Sequence, residues 1–95
     1  MIAVNVRITI DPSKRAAYLK FIDNLVNKSL KDKGNLAYGH YQDVNNENNY
    51  LILEHWDNQK DLDAHLKTPH LINFKNHIND YTTKDPELLF LNQNK

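Results

Sequence analysis

The span Glu54–His70, EHWDNQKDLDAHLKTPH, holds His55, His65 and His70, the only tryptophan of the chain, Trp56, and the carboxyl group of Glu54. Imidazole ordinarily titrates near pH 6.5, so it can take up and return a proton under physiological conditions. An indole adds a flat apolar wall with one N–H donor, and a nearby carboxylate can orient an imidazole ring. The chemistry these groups offer is proton abstraction in a partly dry pocket. His65 lies on one helix face with Leu62 and Leu66, three residues before it and one after, which turns its ring toward the core. Burial there lowers an imidazole pKa and keeps the ring neutral at pH 7, able to accept a proton. A core histidine satisfied by a backbone carbonyl is the competing reading.

Glu54 and Trp56 are two residues apart on a strand and therefore share a side. Buried among apolar neighbours, Glu54 needs a partner, and Arg7 on a neighbouring strand is the candidate. Trp56 is expected as a wall of the core or pocket. His70, in the first turn of its helix beside Pro69, is a second pocket candidate. Asn5 projects opposite the apolar face of the first strand, where its amide can serve a sheet-face contact between subunits or donate to a developing oxyanion. Tyr38, Tyr41 and Tyr50 are strand formers whose hydroxyls can reach a substrate. His70 and His77 are about 10 Å apart along a helix axis, too far to share a metal ion. With no HExxH and no facial triad readable, the sequence predicts no metal site.

Lys plus Arg equals Asp plus Glu at twelve each, so no net field draws the chain to phosphate backbones or anionic lipid. Nucleic acid and membrane surfaces are not expected partners. The absence of cysteine removes disulfides, thiolate nucleophiles and cysteine-based metal sites, and it is compatible with a reducing cytoplasm, the expected location. Gly34 and Gly39 are the only glycines, so there is no glycine-rich loop to cradle a nucleotide cofactor. Ninety-five residues suffice for one core, and one domain over residues 1–95 is expected.

Ile2, Val4, Val6, Ile8 and Ile10 alternate with polar or small residues, as in a strand with one apolar face, and this N-terminal run does not read as a signal peptide. Asp11-Pro12 then caps a helix carrying Tyr18, Ile22, Leu25 and Val26 on one side, predicted to run to about Lys33 and stop at Gly34. Leu36–Val44 and Tyr50–Asp57 read as a hairpin around an asparagine-rich turn, Asn45–Asn49. Asp57 or Asn58 caps a short helix through Leu66. Thr68-Pro69 opens another, striped by Leu71, Phe74, Ile78 and Tyr81, and Pro86–Leu91 closes as a strand. The order β-α-β-β-α-β, with the second helix split, is the ferredoxin-like α+β arrangement, with helices on one face of an antiparallel sheet. Leu51, Leu53, Leu89 and Leu91 leave apolar surface for the other face, so a homodimer packed sheet against sheet is expected.

The run YLILEHWDNQKDLDAHLKTPHLINF resembles the most distinctive region of the antibiotic biosynthesis monooxygenase family, which includes the small quinol monooxygenases. The shared elements are Glu54, Trp56, Leu62, Ala64-His65-Leu66 and Thr68-Pro69-His70. Upstream, KGNLAYGHYQD is similar to the family's Gly-x-x-x-Tyr entry into its second strand, through Gly34 and Tyr38. The resemblance implies a dimeric α+β barrel with a small pocket between sheet and helices in each subunit. It also implies oxidation of a small phenolic or quinol-type aromatic by molecular oxygen, with no flavin or metal. On that expectation His65 is the catalytic base, Trp56 the wall, and Asn5 or a tyrosine such as Tyr38 the hydrogen-bond donor, with Glu54 and His70 also lining the substrate site. The alternatives on the same fold are a non-oxidative isomerase, a small-molecule binding protein and a haem-degrading enzyme. In the haem branch a tryptophan stands where this chain has His65 and a histidine ligates iron from the following helix, a place near Lys75 here.

Overall fold

Alternating apolar residues from Ile2 to Ile8 place Ile2, Val4, Val6 and Ile8 on one side of the first strand, and all four are buried. The computed structural model describes residues 1–92, and that strand, β1 (Ile2–Thr9), is a central strand of its sheet. A single 3-10 turn, Pro12–Lys14, capped by Asp11 accepting from the Ser13 N–H, leads into helix α1 (Arg15–Ser29). Strands β2 (Asn35–Asp43) and β3 (Asn46–Trp56) follow, then helices α2 (Gln59–His65) and α3 (Pro69–His77), a 3-10 turn Ile78–Asp80, and strand β4 (Glu87–Asn92). The sheet order is β2-β3-β1-β4 with every neighbour antiparallel, and the helices pack on one face. This is the expected ferredoxin-like α+β fold, split second helix included.

Two boundaries differ from the sequence-based expectation. Helix α1 ends at Ser29, four residues before Lys33, and the chain leaves through tight turns in which Lys31, Asp32 and Asn35 donate to Lys28, Ser29 and Asp32 carbonyls. Gly34 then takes φ +80°, a left-handed conformation that glycine adopts at no steric cost. A Cβ there would collide with the Asp61 carboxyl group, and the Gly34 carbonyl accepts from the Asp57 N–H, so the turn is held against the far end of β3. The hairpin is also tighter than the asparagine run suggests: only Val44 and Asn45 lie outside the strands, and Asn46–Asn49 pair within β3.

Register decides which side chains meet. Val4 opposes Glu54 and Ile2 opposes Trp56, so Glu54 and Trp56 face the helices. Asn5 opposes Leu53 and Leu89, Ala3 opposes Leu91, and Arg7 opposes Leu51, all on the other face. The core between sheet and helices is built around Trp56 and Tyr18, both without exposed surface, with Ile22, Leu25, Ile52 and Leu62. No helix among the described residues is long and apolar enough to cross a membrane.

Candidate active site

Asn58 caps α2 by accepting from the Asp61 N–H, and Thr68 caps α3 by accepting from the Leu71 N–H. These two caps set where the short helices begin, and the last turn of α2 and the first turn of α3 both meet the turn after α1. There the Asp32 carboxylate oxygen Oδ2 lies 2.7 Å from His65 Nδ1 and 2.7 Å from His70 Nε2. A carboxylate only accepts, so both ring nitrogens carry the proton and donate to it. The neutral His65 is thereby held as the Nδ1–H tautomer, with its Nε2 lone pair free.

That Nε2 is buried and has no hydrogen-bond partner among the described residues. It faces Oε1 of Glu54 at 3.9 Å, beyond hydrogen-bond reach. The same Oε1 accepts from the Trp56 indole N–H at 2.9 Å. The indole packs against the His65 ring, centroids 4.4 Å apart, and Tyr38 meets that ring edge-on at 5.8 Å. The expected Glu54–Arg7 ion pair does not form: Arg7 alternates out of the core face of β1, and the Trp56 indole serves Glu54 instead. The core-carbonyl partner considered for His65 is likewise replaced by Asp32.

Burial decides the protonation of this cluster. It lowers the His65 pKa from its usual range; the hydrogen bond and charge of Asp32 oppose that shift and His70 adds to it. Burial pushes the Glu54 carboxyl up to about 7, opposed by the Trp56 and Tyr38 donors. The Tyr38 hydroxyl is raised as well, first by burial and then by the Glu54 charge, so it stays protonated and able to donate. Near neutral pH the site thus presents an unprotonated imidazole, a carboxyl group shared between its two forms, and a phenol.

A cavity of about 410 Å³ opens on this cluster, between the core face of the sheet and α2 and α3. Tyr38, Glu54 and His65 form its polar end; Val4, Val6, Ile52, Leu71 and Phe74 make its apolar walls, with Leu88 and Phe90 of the edge strand β4 at one side. The volume is that of a small-molecule pocket. Of the six site residues expected from sequence, the structure brings Tyr38, Glu54, Trp56, His65 and His70 together. Asn5 lies apart, in a separate hollow on the opposite sheet face with Arg7 and Tyr41. Asp32 was not expected, because a helix running to Lys33 would make it one more solvated charge. The sequence also predicted no metal site, yet Asp32, His65 and His70 bring three ligand atoms within 4.8 Å of one another. His77, by contrast, is exposed and sits 3.4 Å from Asp80, and it does not line the cavity.

An antiparallel ferredoxin-like sheet with a histidine–carboxyl–indole cluster under its helices defines a small α+β protein with a helix-covered pocket. The family model for antibiotic biosynthesis monooxygenase matches residues 1–77, and the chain belongs to that family. It is 31% identical over 74 residues to the presumed monooxygenase YcnE of Bacillus subtilis, a match covering 78% of each chain. An uncharacterised Synechocystis protein, sll1783, is 28% identical over 88 residues, 93% of this chain and 55% of that protein, so this chain spans about half of that relative's length. The crystal structure of a conserved protein from Methanosarcina mazei Go1 shares the fold, with TM-score 0.93 at 24% identity over 98% of this chain and 92% of that one.

Proposed function

We propose that the chain is a cofactor-independent monooxygenase that oxidises a small phenolic or quinol-type aromatic with molecular oxygen. The observation that carries this reading is the buried, unpartnered His65 Nε2 at the polar end of an apolar cavity, its tautomer set by Asp32. A phenol bound with its hydroxyl at Nε2 loses that proton to His65, and the dry walls leave the phenolate poorly solvated and electron-rich. The phenolate reduces oxygen by adding it at a ring carbon, ortho or para to its own oxygen, that still bears hydrogen. His65 returns its proton to the peroxide. Loss of the C–H proton at that carbon, which replaces the proton Glu54 gives up, and cleavage of the O–O bond then give the quinone and one water. Phenol plus oxygen thus balances quinone plus water, and hydroquinone plus oxygen balances hydroxyquinone plus water. Tyr38 donates to the developing oxyanion, and protonated Glu54 supplies the proton for the departing oxygen. Trp56 holds both the ring of His65 and the carboxyl of Glu54.

The test is oxygen uptake by the purified protein with a panel of hydroquinones and naphthols. Consumption of one oxygen per quinone or hydroxyquinone formed, with no hydrogen peroxide released, is the expected result, and release of hydrogen peroxide would mean oxidation without oxygen insertion. No uptake with any of them between about pH 6 and 9, where a histidine base completes its ionisation, removes the oxygenase reading and leaves isomerisation or ligand binding in the same cavity.

The working unit in this reading is a homodimer formed through the open sheet face. Leu89 and Leu91 of β4 are about half exposed there, and Leu51 and Leu53 of β3 partly exposed, two apolar patches flanking Ala3, Asn5 and Arg7 of β1. Sedimentation is expected to show twice the 11.2 kDa chain mass, and Leu53→Lys to return it to the monomer. A wild-type monomer at micromolar concentration contradicts the assembly.

A further inference from the structure

We propose that Asp32, His65 and His70 form a binding site for a divalent transition-metal ion of the zinc or cobalt(II) type. The three residues come from separate elements, the turn after α1, the last turn of α2 and the first turn of α3, yet Asp32 Oδ2, His65 Nδ1 and His70 Nε2 all lie within 4.8 Å of one another. Two imidazole nitrogens and one carboxylate oxygen are a donor set of borderline softness, suited to such ions and poorly suited to calcium or magnesium. Tetrahedral coordination with bonds of about 2.0 Å puts donors about 3.3 Å apart. The Asp32–His65 and Asp32–His70 separations of 2.7 Å have to open by about 0.6 Å, and the two imidazole nitrogens, held only to within 4.8 Å of each other, have to close by up to about 1.5 Å, movements that side-chain rotation at the half-open end of the site can supply.

The surroundings of His65 supply the independent observation. In the hydrogen-bonded state its Nε2 lone pair faces the oxygen of Glu54, and neither group satisfies the other. An ion on Nδ1 displaces the proton there, and a neutral ring must then carry its proton on Nε2. That nitrogen becomes a donor aimed at a carboxyl group which Trp56 already holds in place. Once the 3.9 Å gap closes by about 1 Å, the pair becomes a ligating histidine backed by a carboxylate, the arrangement that orients metal-bound imidazoles and raises their basicity. Access is available because the side chains of Asp32 and His70 keep 17% and 11% of their surface exposed, enough for an ion to enter and for water to complete its coordination.

The site goes beyond the oxygenase reading and does not rest on it. Where that reading holds, the bound ion removes the Nε2 lone pair and switches the base off.

The experiment is a cobalt(II) titration of the untagged chain, followed by the visible ligand-field band of four-coordinate cobalt, with zinc as competitor. The expected result is saturation at one equivalent and displacement by zinc, with the zinc form showing altered 15N shifts at His65 Nδ1 and His70 Nε2. Asp32→Asn and His70→Gln, checked for folding by circular dichroism, should each weaken binding at least 100-fold. Glu54→Gln should weaken it about 10- to 100-fold, and His77→Gln should leave it unchanged. Absence of the band at millimolar cobalt overturns the proposal, as does a band that leaves the His65 Nδ1 shift unmoved or survives in folded Asp32→Asn and His70→Gln.

Discussion

His65→Ala is expected to lower oxygen-coupled turnover by about 10²- to 10⁴-fold, the contribution of one positioned general base. The helices should stay in place. The ring is fully buried, so its removal leaves a hole under Trp56, but Asp32 keeps its second donor in His70, and the caps of α2 and α3 do not involve the imidazole. A companion His65→Gln separates packing from proton transfer. The glutamine amide can still donate to Asp32 and fills most of the volume, yet it has no basic nitrogen. If His65 acts as the base, Gln and Ala lose turnover alike while Gln recovers the stability. A Gln variant that keeps wild-type turnover would make His65 a spacer between Asp32 and Trp56 and nothing more. The readouts are kcat from an oxygen electrode and Tm from circular dichroism, taken on the same preparations.

Much of this site is legible in the residues themselves, and what is not follows a physical pattern. The spacing of Leu62 and His65 places the imidazole under the helix, and the alternation of Glu54 and Trp56 brings both to one strand face; both readings use only local periodicity. The same periodicity argues against Arg7 as the partner of Glu54, since Arg7 sits between Val6 and Ile8 and must face the other way. It also separates Asn5 from the cavity. Asp32 is different in kind. Its role depends on α1 ending at Ser29 and on a turn closed by Gly34 against Asp57, which carries the carboxylate to histidines 33 and 38 residues later. Helix propensity does not foresee that stop, because Leu30, Lys31, Asp32 and Lys33 are all acceptable helix residues. Tertiary closure, through the carbonyl of Gly34 and the crowding of Asp61 against it, overrides the local preference.

Glu54→Gln is expected to make the fold more stable at pH 8 by about 3 kcal/mol relative to wild type, and to leave stability near pH 4 almost unchanged. Burial lifts the Glu54 carboxyl from an ordinary 4.5 to about 7. Between those values the folded chain binds more protons than the unfolded one, so wild-type stability falls as pH rises through this window. At about 1.4 kcal/mol per pH unit the loss is on the order of 3 kcal/mol, complete above pH 7. His65 works in the opposite sense. Its folded pKa is lowered, so stability rises with pH until the unfolded imidazole has lost its proton near 6.5, and in the variant this rise remains alone. The introduced glutamine can keep the geometry, its amide oxygen accepting from Trp56 while its nitrogen lies toward the unpartnered Nε2 of His65. Thermal melts from pH 4 to 8 decide the matter, since each kcal/mol moves Tm by roughly 4–8 °C in a domain of this size. Parallel pH profiles for the two proteins would mean that Glu54 titrates normally and that its burial carries no cost. A variant that gains stability at pH 8 and loses oxygen uptake would show the carboxyl group to be retained against the interest of the fold, as expected of a proton donor placed where the chemistry needs it.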